Sequence, residues 1–361
     1  MTGAPDVVDW SVADAVGGGL VPAGPTASRE ELAAHVARLR AAAQEAVPHV
    51  LRVTAMTPAD GRDTSVPGAL AEVLVVDRAS WVRAAVGTAR SMLPDLAPSG
   101  SRPGTLARAA GGAEIGGALA LASTRVLGQF DPFAAAPGRL LLVAPNILGA
   151  QRGLGAPAHD FALWVCLHEQ THALQLAAAP WLADHLRSRV AELFDDVART
   201  GRDLAEGPVP ARLRAWWQTA GRLVAGGREA SLASRVLTPA QRELMGEIGA
   251  VMALLEGHAD VMMDAVGPAV VPSVHEIRRG FDVRRRSTTG LARQLGRLLG
   301  MEEKLAQYTD GATFVREVRR THGFDAVNVV WEAPGNLPTA REIHDPAAWG
   351  RRVGLGGRAR A

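Results

Sequence analysis

Three residue types are almost missing from this chain of 361 residues, which has one cysteine, one tyrosine and one lysine, Lys304. The lone Cys166 cannot close an intramolecular disulfide, which fits a reducing cytoplasm, and among apolar neighbours it packs as a small hydrophobe. With a single lysine, 38 of the 39 basic residues are arginine. In a composition so rich in Ala, Arg and Gly, arginine is a poor guide to function. Against 37 acidic residues the formal charge is only +2, so the pI near 9.3 reflects how few groups titrate just above neutrality. A nucleic-acid binder concentrates basic charge on one face. Here the densest groups are Arg278 and Arg279 with Arg284–Arg286, and Arg351 and Arg352 with Arg358 and Arg360. They read as solvated faces, and no nucleic-acid partner is expected.

Long apolar runs are also lacking. A membrane-spanning helix needs about 20 such residues, and the nearest stretch, 115–127, is short, broken by glycine and contains Arg125. It reads as a closely packed helix. The first ten residues lack the basic start and apolar run of a signal peptide. Repeats are not seen, and the glycines at 111–112 and 153–155 lack the accompanying residues of a phosphate-binding or dinucleotide-binding loop. With 47% hydrophobic and 21% charged residues, the expectation is a soluble, cytoplasmic, globular protein without a membrane partner.

What is present is H-E-x-x-H, within LHEQTHALQL at 167–176. Two imidazoles four residues apart share one helix face, about one turn from each other, so His168 and His172 can reach one metal ion. Glu169 is rotated roughly 100° around the axis and can address a water there without being a ligand. This is the pattern of a zinc hydrolase, with Glu169 as general base. The flanks support it: residues 161–167 are all apolar, and Gln170 and Thr171 are uncharged. Two histidines and a glutamate in such a helix are costly unless they have partners.

Catalytic zinc takes three protein ligands and keeps one position open. The metzincin extension needs a histidine at position 178, which is Ala178. The stretch MALLEGHADVMMDAV at 252–266 offers Glu256 and, four residues on, Asp260. Glu256 is the preferred third ligand, with Asp260 orienting a ligand imidazole from the outer shell. His258 lies about 200° around the helix from Glu256, so the two cannot bind one ion together.

The pairing of H-E-x-x-H with a downstream E-x-x-x-D helix resembles the glutamate zincins, the thermolysin-like metallopeptidases. The 84 positions between His172 and Glu256 exceed the spacing in those enzymes. More of the chain, roughly 75–350, resembles the zinc-dependent metalloproteases of actinobacteria and their relatives. RVLGQFDPF at 125–133, LLEGHAD, KLAQYTDGATFVREV at 304–318 and the segment 327–349 carry that resemblance. It implies a zincin-like core with extra helices and a peptide or protein substrate. Some members of that group are associated with biosynthesis of a deazaflavin coenzyme, although no residue here speaks to flavin chemistry.

The expected fold is mainly α with a small sheet, an α+β arrangement. Residues 1–104 form an N-terminal region, 105–350 the metal-binding domain and 351–361 a disordered tail. Ser28 and Glu31 open a helix to about residue 46, 71–76 reads as a strand or buried helix start, and 78–93 as a helix. The clearest strand, 139–144, precedes a Gly-rich loop at 149–157 and then the metal helix, capped by Asp160. That strand is either an edge for pairing with an extended peptide or an ordinary buried strand. Trp216 and Trp217 read as core residues. The oxyanion donor stays open among His258, His275, Tyr308 and Arg284–Arg286. The preferred function is a zinc metallopeptidase. The alternative is a non-catalytic zinc-binding helical protein that acts through a protein partner.

Overall fold

The apolar run at 139–143 becomes the middle strand of a three-stranded sheet and separates two hydrophobic cores. The computed structural model describes residues 8–92, 104–203, 238–286 and 301–358. Strand β3 (Arg139–Val143) pairs in parallel with β1 (Glu72–Val76) and antiparallel with β2 (Gly128–Asp131), so the order is β1-β3-β2. Side chains alternate across a strand. Leu140 and Leu142 therefore enter the larger core, and Leu141 and Val143 the smaller one. A strand covered on both faces reads as an unbroken apolar run, as this one does. Of the two readings of this strand, the structure shows the buried one and not the substrate-binding edge: the edges are β1 and β2.

The smaller core is closed by α1 (Trp10–Leu20), α3 (Arg78–Met92) and α4 (Thr105–Ala122). The larger core begins with α2 (Arg29–Thr54), whose capping box joins Ser28 and Glu31 as the sequence suggests. The helix runs past the expected end near residue 46 and through Pro48, because Val50 and Val53 still have core to bury. Residues 1–104, read from the sequence as a region of their own, share both cores with residues 105–350: α2 lies along the metal helix and β1 pairs with β3.

The expected loop at 149–157 is mostly helix α5 (Ala144–Leu154), which buries Ile147, Leu148 and Ala150 and ends at Gly155 with φ 62°. Next comes α6 (Ala158–Ala178), the H-E-x-x-H helix, buried on nearly every side from Asp160 to Gln175. Asp160 does not cap it. Its Oδ2 instead accepts from the Ser273 backbone N–H at 2.9 Å and hydroxyl at 2.7 Å, tying α6 to the residue before α9 (Val274–Arg286). Gln170 of α6 donates to the Ala43 carbonyl of α2 at 2.9 Å. Helix α7 (Trp181–Asp203) follows, and then α8 (Pro239–Ala265), opened by a Thr238–Gln241 capping box. Trp216 and Trp217 lie outside the described residues.

Helix α8 is crossed closely by α10 (Met301–His322). The crossing is set by two glycines: a Cβ on Gly257 would run into the Gly311 and Ala312 backbone, and one on Gly311 into the Ala253 carbonyl. Beyond α10 the chain wraps irregularly. A 3-10 turn (Ala326–Trp331) accepts a hydrogen bond from Trp181 Nε1 on the Trp331 carbonyl at 3.1 Å. The tail expected to be disordered from 351 is helical as far as Arg358, in α11 (Pro346–Arg352) and α12 (Leu355–Arg358), and it buries Leu355. Burial of Leu355 and Trp349 outweighs the polar composition there. Among the described residues no helix is long and apolar enough to cross a membrane.

Gly311→Ala should destabilise the fold by roughly 1–3 kcal/mol, because added volume forces apart a well-packed crossing. Gly87→Ala, at an exposed helical position with open space around it, should stabilise by about 0.5–1 kcal/mol. Urea unfolding of both variants checks this, and equal or inverted effects would remove the close-crossing account.

Candidate metal centre

Helix periodicity alone brings His168 and His172 side by side. Their Nε2 atoms are 3.2 Å apart and the rings stand at 88° to each other. Helix α8 then delivers Glu256, whose Oε2 lies 3.4 Å from His168 Nε2 and 3.7 Å from His172 Nε2. All three donor atoms fall within 4.8 Å of one another. A tetrahedral centre with bonds of about 2.0–2.1 Å separates its ligand atoms by roughly 3.3–3.4 Å. Two nitrogens and one oxygen at these separations fit zinc in both chemistry and spacing. The side chains are 20%, 16% and 20% exposed in the order His168, His172, Glu256, so one side of the group is open to an incoming molecule.

The electrostatics point the same way. Burial opposes charge on His172, yet its hydrogen bond to Glu256 and that carboxylate's charge push it up to about 9. Burial likewise opposes ionisation of Glu256, but the two imidazoles hold its carboxyl well below the usual range. The carboxylate thus draws positive charge to the point where the imidazoles meet, a demand that a divalent cation satisfies.

Glu169 is buried, at 7% exposure. Burial, reinforced by the nearby Glu256 charge, raises its carboxyl against the pull of His168 and His172. It rests on edge strand β2 at Gly128: a Cβ there would lie 2.6 Å from Glu169 Cγ and 2.8 Å from Oε1. Only a residue without a side chain lets the strand come so near this carboxyl.

Around the group, Asp260 is engaged by an arginine, and a glutamine stands against His172. Asp260 Oδ1 accepts from Arg278 at 2.9 Å, and the same guanidinium reaches Asp264 at 2.9 Å while covering the Trp164 ring. A charge-assisted pair with an arginine from α9 thus engages Asp260. The partner of His172 is Gln175, whose Oε1 lies 2.8 Å from His172 Nδ1. Gln175 Nε2 in turn lies 3.0 Å from the Leu255 carbonyl oxygen and 2.9 Å from His258 Nδ1. Gln175 was not singled out from the sequence. Its signal is a polar residue three positions after His172 inside an apolar run.

Of the oxyanion candidates, His258 is fully enclosed, packed edge-on against Trp331, and burial, with the nearby Arg319 and His172 charges, lowers it to about 3. His275 is exposed. The side chains of Tyr308 and Arg284–Arg286 lie outside the described residues.

Comparison with known proteins gives a family-wide and a structural likeness. A family model described as zincin-like metallopeptidase matches residues 8–349. A solved structure of a proposed hydrolase with a novel fold, from Chloroflexus aurantiacus, is similar at 28% identity and a TM-score of 0.61. That match covers 98% of this chain and 99% of the other. A search of curated proteins gave no match.

Elemental analysis of protein purified without chelator should find about one zinc per chain. His172→Ala should abolish it. Asp260→Asn should keep the metal while lowering stability by roughly 1–3 kcal/mol, because the buried Arg278 guanidinium loses the negative charge of its partner. Loss of zinc in Asp260→Asn would return that residue to the outer shell of the site.

Proposed function

The chain belongs to the zincin-like metallopeptidase family, and on that premise we propose that it hydrolyses peptide bonds, with His168, His172 and Glu256 holding zinc and Glu169 as general base. One observation carries this reading. A three-donor group open on one side, two of its donors on α6 and the third on α8, stands beside a buried carboxyl of α6 with a raised pKa, against an edge strand. When bound, zinc supplies a Lewis acid that brings water ionisation toward neutral pH.

The protein's own groups account for the rest. The Glu169 carboxylate takes a proton from water as the water oxygen attacks the scissile carbonyl carbon. Burial makes it a better base than an exposed glutamate. The same carboxyl then returns the proton to the leaving amine nitrogen as the C–N bond breaks. An extended peptide can add to the outer edge of β2 through main-chain hydrogen bonds. Gly128 lets that backbone lie close to Glu169.

The alternative is a zinc protein that acts only through a partner. A structural site closes with a fourth protein ligand and has no use for a general base. The candidate group found among the described residues has three members, and Glu169 stands beside it.

Mass-spectrometric digestion of a mixed peptide pool tests the proposal. Wild type should cleave and stop when chelator is added. Glu169→Gln should bind zinc normally yet turn over at least about 100-fold more slowly. Gly128→Val should also keep zinc and lose turnover, because the new side chain displaces the base. Undiminished cleavage by Glu169→Gln would end the general-base assignment.

A further inference from the structure

We infer that Gln175 is the positioning residue of this centre, and that the Leu255 peptide carbonyl sets its polarity and thereby the tautomers of two histidines. The inference rests on the metal-centre reading above and adds residues that act on it. Gln175 is fully buried, so its amide must resolve every contact inside the protein. It has one acceptor oxygen and a nitrogen with two hydrogens. Three groups surround it: His172 Nδ1 at 2.8 Å from Oε1, and the Leu255 oxygen at 3.0 Å and His258 Nδ1 at 2.9 Å from Nε2.

Imidazoles adapt to either role, but a peptide oxygen only accepts. Turning the amide over would set its oxygen against the Leu255 oxygen at 3.0 Å, two acceptors with no hydrogen between them. Leu255 therefore fixes which end of Gln175 faces which neighbour. The Gln175 oxygen then meets His172 Nδ1, which must carry the hydrogen and donate. In the neutral ring that leaves the lone pair of His172 on Nε2, the atom 3.2 Å from His168 Nε2 and 3.7 Å from Glu256. The second amide hydrogen points at His258 Nδ1, which must accept. His258 consequently holds its hydrogen on Nε2, an atom with no hydrogen-bond partner among the described residues, on a ring packed edge-on to Trp331.

Leu255 immediately precedes Glu256, so their shared peptide unit joins both functions. It carries the carboxylate ligand on one side and, through its carbonyl, orients the imidazole ligand on the other helix. Metal affinity and the register of α8 against α6 are coupled through this peptide and one side-chain amide.

The test measures zinc affinity by competition with a chromogenic chelator, alongside the melting temperature of the metal-free protein. Gln175→Met keeps the length of the side chain but offers His172 at most a weak thioether acceptor, and it should weaken zinc binding by roughly 10–100-fold, the usual cost of losing an outer-shell partner. The metal-free protein should melt somewhat lower, because the Leu255 oxygen and the two histidine nitrogens lose their buried partner, so zinc affinity is read only on protein shown to be folded. Unchanged zinc affinity in a folded Gln175→Met protein overturns the inference alone. A wild-type chain that binds no zinc overturns the metal centre and this inference together. Should Gln175→Met not fold, long-range ¹H–¹⁵N spectra of the wild-type imidazoles decide. His258 as the Nε2–H tautomer supports the assignment, and the Nδ1–H tautomer overturns it.

Discussion

Polar groups that face one another across the contact between α6 and α8 are the constraint on which this molecule depends. Helix α6 is enclosed by apolar neighbours along most of its length, and there it carries two histidines, two glutamines and a glutamate. Each would cost free energy if left without a partner. Gln170 turns to a carbonyl of α2, Gln175 to one of α8, and the two histidines to a carboxylate of α8. The larger core is organised around meeting those demands, and the metal group is the place where they are met by ligand atoms rather than by ordinary hydrogen bonds.

The remaining architecture fixes how deep and how open that contact is. Gly257 and Gly311 let α8 and α10 cross nearly backbone to backbone, which holds the helix carrying Glu256 from behind. Arg278 ties α9 to Asp260 and Asp264 of the same helix. On the far side of α6 the edge strand β2 comes up against Glu169 at Gly128. The site is thus enclosed by helices on one flank and by a strand edge on the other, with Glu169 between them.

Several parts of this were legible in the residues. The i, i+4 histidines and the glutamate between them follow from helix periodicity, as does the separation of Glu256 from His258 on α8. The capping box at Ser28 and Glu31 and the apolar strand at 139–143 are local signals that survive in the fold. Others were misleading for physical reasons. Glycines at 149 and 153 suggested a loop, yet Ile147 and Leu148 had core to bury, and α5 formed. Asp160 had the type and position of a cap but found a better pair of donors at Ser273. Asp260 stood on the expected face, where an arginine more than a dozen residues on engaged it.

By itself, then, the sequence determined which atoms could bind a metal, because ligand type and helical spacing are properties of a single segment. It could not determine which polar residues serve those ligands. A hydrogen-bond partner is chosen by proximity in three dimensions, among candidates tens of residues away in the chain. Gln175, the Leu255 carbonyl and Gly128 owe their places at the site to helix-on-helix and strand-on-helix packing. Only the folded chain decides that a peptide oxygen 80 residues beyond Gln175 stands where it can orient that amide.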